Sequence, residues 1–135
     1  MRSSYNKLFV HIVWSTWKRW NLIHPKIESN LQKILKSKTE EKKSQLIMFG
    51  CTENHVHLLV QIHPTICVSD LVKHLKGSSS YLISQGLSRN EFFRWQGGYA
   101  AITVSPQLIS AISKYIAKQK EHHQNETLNS HWEVS

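Results

Sequence analysis

An α+β fold, with an antiparallel β-sheet and helices packed on it, is predicted by three features of this 135-residue chain. Short β-forming segments alternate with helical stripes in the order strand, helix, two strands, helix, strand, helix. The two adjacent strands are close enough to form a hairpin, and the other connections are long enough to be helical crossovers. With 40% hydrophobic residues, the chain fits one compact domain around a single core. That domain is expected over residues 1–125, with 126–135 as a C-terminal tail.

Tyr5 to Thr16 alternates and is rich in β-formers, with Leu8, Val10, Ile12 and Trp14 set against Phe9, His11 and Val13. It reads as a long first strand. Trp17 to Asn21 is a basic, aromatic connection. Pro25 suits the first turn of a helix, and Ile27, Leu31, Ile34 and Leu35 carry a helical stripe to about Ser37. Lys38 to Lys43 contains no apolar residue and reads as a charged turn. Leu46 to Phe49 is the second strand, Gly50 to Asn54 a turn or bulge, and His55 to His63 a third strand stopped by Pro64.

Val68 to about Ser84 reads as helix, capped by Ser69 or a neighbour, with Leu71, Val72, Leu75 and Leu82 as the inner stripe. Gly77 and the three serines after it are expected to interrupt that helix. Gln85 to Gly98 is polar, Gly-punctuated loop, and Tyr99 to Val104 the fourth strand. Ser105-Pro106 starts the last helix, whose buried side is Leu108, Ile109, Ile112 and Ile116 and which reaches at least His122. Residues after Asn125 are expected to be frayed.

Seventeen Lys/Arg against nine Asp/Glu give a formal net charge of +8 and a pI near 9.7. Arg2, Lys7, Lys18, Arg19 and Lys26 all precede the first acid, Glu28. From Cys67 to Lys120, seven basic residues face only Asp70 and Glu91. Such a balance attracts polyanions, nucleic acid above all. No apolar run approaches the ~18 residues that span a bilayer. No secretory leader is evident, so a soluble cytoplasmic protein without membrane association is expected. Cys51 and Cys67 are too few for a disulfide scaffold and form no Cys-x-x-Cys pair, so both are expected as reduced thiols.

His55 and His57 share one face of their strand, while Val56 and Leu58 fill the other. Tyr115 and Gln119 are four apart in a helical pattern and share a face there. Two imidazoles and an amide oxygen are a neutral ligand set that leaves a divalent ion its whole charge, which suits polarising a phosphodiester. Mn²⁺, Mg²⁺, Co²⁺ and Ni²⁺ are compatible with it. The competing reading is a zinc site of Cys51, His55 and His57, completed by His122 or His123. A phenol of pKa ~10 needs an ion or a base to attack at neutral pH. His11 and His63 have no matching partner in this pattern and read as packing or surface residues.

These residues resemble the single-tyrosine HUH transposases of the insertion-sequence-200/605 type, the transposase A type. His11-Ile12-Val13-Trp14-Ser15-Thr16 is similar to the family's opening strand, and Glu53-Asn54-His55-Val56-His57-Leu58-Leu59-Val60 to its HUH strand. Leu75-Lys76-Gly77-Ser78-Ser79, Trp95-Gln96-Gly97-Gly98-Tyr99 and Thr103-Val104-Ser105 resemble later segments. Tyr115-Ile116-Ala117-Lys118-Gln119, followed by Glu121-His122-His123, resembles its catalytic helix.

The resemblance implies a ferredoxin-like HUH endonuclease architecture and a prokaryotic, DNA-associated transposase. His55, His57 and Gln119 would ligate Mg²⁺ or Mn²⁺. Tyr115 would attack a phosphate of single-stranded DNA at the element's end, leaving a 5′-phosphotyrosine link and a free 3′-OH whose reversal rejoins strands. A homodimer and recognition of DNA hairpins are implied as well. The family usually continues into an acidic, aromatic tail, whereas this sequence ends at Asn129-Ser130-His131-Trp132-Glu133-Val134-Ser135. That difference would bear on DNA positioning or mark a decayed copy. Glu53 is near enough in sequence to approach the ion, though a turn acid is the simpler reading.

Candidates for phosphate contact are Lys18, Arg19, Lys73, Lys76, Arg94 and Lys118, and Trp17, Trp20 and Trp95 for stacking on unpaired bases. Three other functions stay open: a domesticated nickase of palindromic repeats, a catalytically inactive DNA-hairpin-binding module, and a zinc-stabilised binding protein.

Overall fold

The computed structural model describes residues 4–124, with side chains as far as Glu121. Four strands form one sheet: β1 (Phe9–Ser15), β2 (Gln45–Cys51), β3 (His55–Gln61) and β4 (Ala100–Val104). Their order is β2-β3-β1-β4, and every pairing is antiparallel. Helices α1 (Pro25–Glu41) and α2 (Val68–Gln85) supply the crossovers, and α3 (Ile109–Ala117) and α4 (Gln119–Gln124) follow β4. The α+β sheet-and-helix architecture is therefore the one expected.

The central strands β1 and β3 are buried on both faces, hence their nearly unbroken apolar runs. On one face Val10, Ile12, Trp14, Val56, Leu58 and Val60 meet Leu31 and Leu35 of α1 and Leu71, Val72 and Leu75 of α2. Each such leucine, fully removed from water, stabilises the fold by roughly 1.5–3 kcal/mol. On the opposite face Phe9 and Leu59 receive Ile112 and Ile116 of α3. Gly50 lets that helix approach: a Cβ there would lie 1.8 Å from the Ile116 carbonyl oxygen. Edge strand β4 is mostly exposed.

Several boundaries differ from expectation, each for a local reason. The first strand begins at Phe9 rather than Tyr5, which is exposed. Helix α1 does not stop at Ser37. Buried Thr39 donates its hydroxyl to the Leu35 carbonyl, and Lys36–Glu40 and Lys38–Glu41 pairs line the exposed side. The bulge falls between Leu46 and Met48, while Gly50 and Cys51 stay in β2. Gly77 and the serines do not interrupt α2: Gly77 sits exposed with open space around it, and of the serines it is Ser79 that packs against the loop before β4. Ser79 is buried and accepts the Trp95 indole N–H at 2.9 Å, and Lys76 donates to the Gln96 and Gly98 carbonyls. No side chain caps α2 at its first turn, where Cys67 is the N-cap, and Ile83 rather than Leu82 faces the core. The last helix opens with a 3-10 turn, Pro106–Leu108, that leaves Leu108 exposed. It also breaks at Lys118. The expected fraying after Asn125 lies outside the described residues.

Candidate active site

β3 turns His55 and His57 to the face that α3 covers, and the sheet register decides what meets them. In the β1–β3 ladder His57 lies opposite Val13, and His11 opposite Leu59, so His11 and His57 are diagonal neighbours on one face. Their rings stack at 5.1 Å between centroids, and His11 Nε2 is 2.9 Å from His57 Nδ1. The His55 and His57 rings meet edge to face at 5.2 Å. His55 Nδ1 lies 2.8 Å from both Asn54 Oδ1 and Thr52 Oγ1. An amide oxygen can only accept, so Nδ1 of His55 carries the proton and Nε2 the lone pair.

α3 brings Tyr115 over these rings, 6.3 Å from His57 between centroids. The chain breaks its helix at Lys118 (φ −107°, ψ 29°), and Gln119 opens α4. Its Nε2 donates back to the Tyr115 carbonyl at 3.3 Å. Tyr115 and Gln119 thus stand on successive short helices, not on one, and still meet. Lys120 of α4 reaches Glu28 of α1 at 2.6 Å, tying the segment to the opposite layer. His11, His55, His57, Tyr115 and Gln119 are all buried.

The zinc alternative does not survive the register. Cys51 pairs with Val56, so its thiol joins the apolar cluster on the face opposite His55 and His57. Burial pushes that thiol up from 9.0 to about 12, away from the thiolate a metal needs. Among the described residues no three His, Cys, Asp or Glu side chains form a metal-holding group. The side chains of His122 and His123 lie outside the described ones. Glu53 is exposed, with its carbonyl accepting the Ile23 N–H.

The predicted DNA contacts separate into groups. Lys18, Arg19 and Arg94 are exposed around Trp17, with the Arg94 guanidinium 4.0 Å above its ring. Lys73 is exposed on α2, and Lys118 at the break after α3. Lys76 is half-buried, its ammonium spent on backbone carbonyls and its pKa lowered by burial. Trp95 lies in the core, edge-on to Trp14 and Phe93, and is no stacking surface. The sequence reading missed the imidazole partner of His57: His11 is neither surface nor packing filler. The signal was its phase, shared with Phe9 and Val13, which becomes informative only with the β1–β3 register.

The chain is 27% identical over 120 residues to the ISDra2 transposase TnpA of Deinococcus radiodurans, covering 85% of this chain and 86% of that one. It is 29% identical over 117 residues to the transposase for insertion sequence element IS200 of Salmonella typhimurium, covering 82% and 76%. A crystal structure described as a transposase of Deinococcus radiodurans R1 superposes with a TM-score of 0.70 at 26% identity, over 86% of this chain and 93% of that one. A REP-associated tyrosine transposase bound to a REP hairpin shares the fold at TM-score 0.67 and 12% identity, over 91% and 73%. The family described as transposase, IS200-like, matches residues 4–119, and the chain belongs to it.

Proposed function

We propose that this transposase cleaves and rejoins single-stranded DNA through Tyr115, assisted by a divalent cation held by His55, His57 and Gln119. The observation that carries the reading is the Tyr115 ring packed edge-on to His57, one turn before buried Gln119, whose amide donates to the Tyr115 backbone carbonyl. The donor set fits such an ion. With Nδ1 of both histidines engaged, ligation would use Nε2, and with its nitrogen turned to the Tyr115 carbonyl, Gln119 offers its oxygen. Mg²⁺ or Mn²⁺ held there supplies charge that polarises a non-bridging phosphate oxygen.

The rest is the work of side chains. The Tyr115 phenol gives up its proton and attacks phosphorus. The Oη–P bond forms, the P–O3′ bond breaks, and the 3′ oxygen leaves with a proton as a free hydroxyl. Attack on the 5′-phosphotyrosine by another 3′-OH reverses these steps, so no external energy source is required. His11 holds the His57 ring, and Asn54 and Thr52 hold the His55 ring. Because Tyr115 is buried under α3's seat on the sheet, strand entry requires α3 to move from that seat. Strands bearing hairpins are the expected substrate, and a homodimer the expected working form.

The test is to incubate the protein with labelled hairpin-bearing single strands carrying element ends, with Mn²⁺, and look for a covalent adduct. Wild type should form one, while Tyr115→Phe and chelation of the metal should each abolish it. An adduct that persists in Tyr115→Phe sinks the assignment.

A further inference from the structure

We infer that the turn after β1 and the loop before β4 together form a stacking platform for unpaired bases of single-stranded DNA, with Trp20 and Phe92 as one wall of a pocket for one base. The inference rests on the single-strand reading above and gives it a location. Trp20 and Phe92 are 49% and 48% exposed, and their rings touch edge to face, with centroids 6.0 Å apart at 63°, so that together they line one side of the pocket. Beside them, lined also by Leu22, His24, Leu87, Asn90 and Glu91, lies a cavity of about 280 Å³. That is just below the roughly 300–1,000 Å³ of sites for drug-sized ligands, a size suited to a single planar ring system. Asn90 brings an amide to its rim, where the hydrogen-bonding edge of a base would lie.

Cations surround these rings. Arg94 stacks on Trp17, and the Lys18 ammonium lies 5.6 Å from the Trp17 ring and 5.8 Å from the Trp20 ring. Arg19 is exposed beside them. Glu91, the acid in the cavity lining, is paired with Lys26 and accepts from Ser88, so its charge is offset. Aromatic faces interleaved with cations match a strand whose bases stack and whose phosphates repel acids, which argues for nucleic acid over a protein partner.

The backbone is built to hold this display. Lys18 and Arg19 both occupy the left-handed region, at φ 52° and 55°, which costs of order 1 kcal/mol or more for each non-glycine residue. Three bonds sustain it: Lys18 N–H to Gln96 Oε1, Trp17 N–H to the Arg94 carbonyl, and the Thr16 hydroxyl to the Trp20 carbonyl. The platform starts beside the candidate site, since Thr16 N–H also donates to the carbonyl of Asn54, whose side chain holds His55.

Fluorescence anisotropy with a thymidine 20-mer, and with a 20-mer whose sugars carry no bases, tests the idea on the full chain. Trp20→Ala and Phe92→Ala should each weaken binding of the thymidine strand by about 5- to 150-fold and leave the base-free strand unaffected. Trp20→Phe should restore most of the loss. Lys18→Ala should weaken both strands and flatten the salt dependence by about one unit of slope. Equal loss on both strands overturns base stacking. A change in sedimentation mass of the free protein on Trp20→Ala overturns it too, by making the patch an interface between copies. Unchanged binding in Trp20→Ala, alongside a wild-type covalent adduct, overturns the platform and leaves the Tyr115 chemistry standing. Trp20-dependent binding with no adduct does the reverse.

Discussion

On the face of the sheet under α1 and α2, the central strands bury aliphatic side chains and the Trp14 indole, and Leu31, Leu35, Leu71 and Leu75 close over them. On the other face the same two strands bury three imidazoles, and the apolar cluster is smaller, centred on Phe9, Leu59, Ile112 and Ile116. Stability and chemistry are thus divided between faces by a two-residue period. The apolar face can tolerate imprecise packing at moderate cost, because its contacts are many and non-directional. The imidazole face cannot, since each buried ring nitrogen needs a partner in the right place.

The largest effect on folding should come from the apolar face. Leu75→Ala, at a site of zero exposure, should lower the unfolding free energy by about 2–5 kcal/mol in urea titration, without altering adduct yield per folded molecule. A loss below about 1 kcal/mol would mean that this face does not carry the fold. Gly50→Ala probes the seam between faces. Its methyl meets the Ile116 carbonyl, so α3 must shift, at about 1–3 kcal/mol. Limited proteolysis should then cut near α3 before the sheet unfolds, and wild-type resistance there would show that the seat is not tight.

His11 sharpens the contrast, because its expected effect is on affinity. His11→Leu fills the space but cannot partner His57 Nδ1. Mn²⁺ binding, followed by the paramagnetic signal of the free ion, should weaken about 10- to 100-fold. His11→Gln, which can hydrogen-bond, should recover part of it. Equal Mn²⁺ affinity in His11→Leu and wild type would make the residue mere packing.

The smallest effect separates the two thiols. With iodoacetamide at pH 8, exposed Cys67, whose pKa is lowered by the Ser69 hydroxyl, should react while Cys51 stays protected. The folded-state pKa of Cys51 is raised from 9.0 to about 12. Its stabilising contribution is therefore complete below pH 9 and is lost as pH rises towards 12. Labelling of Cys51 at the rate of Cys67 in folded protein would contradict its placement in the apolar core.

Much of this was legible in the chain because two periodicities carry it. A two-residue period put His55 and His57 on one face, and four-residue spacing drew attention to Tyr115 and Gln119. What stayed hidden depends on pairing between distant segments. His11 gains its meaning only when β1 lies beside β3 in one register. Cys51, four residues before His55, looked like a ligand until the turn at 52–54 put it on the other face. The break at Lys118 carries no glycine or proline to announce it. In α2 the serines after Gly77 resembled a breaker, although one of them was an acceptor for a tryptophan 16 residues away.

The notch at Gly50 has one more implication. It recognises a helix by a missing methyl group and by the two isoleucines, Ile112 and Ile116, on either side of Tyr115. Nothing in that fit reads which polypeptide the helix came from. An identical helix delivered by a second molecule would seat equally well, so the choice between self and neighbour falls to the short lead from Val104 to Ile109. Lengthening or stiffening that lead should redirect the tyrosine while leaving its seat untouched.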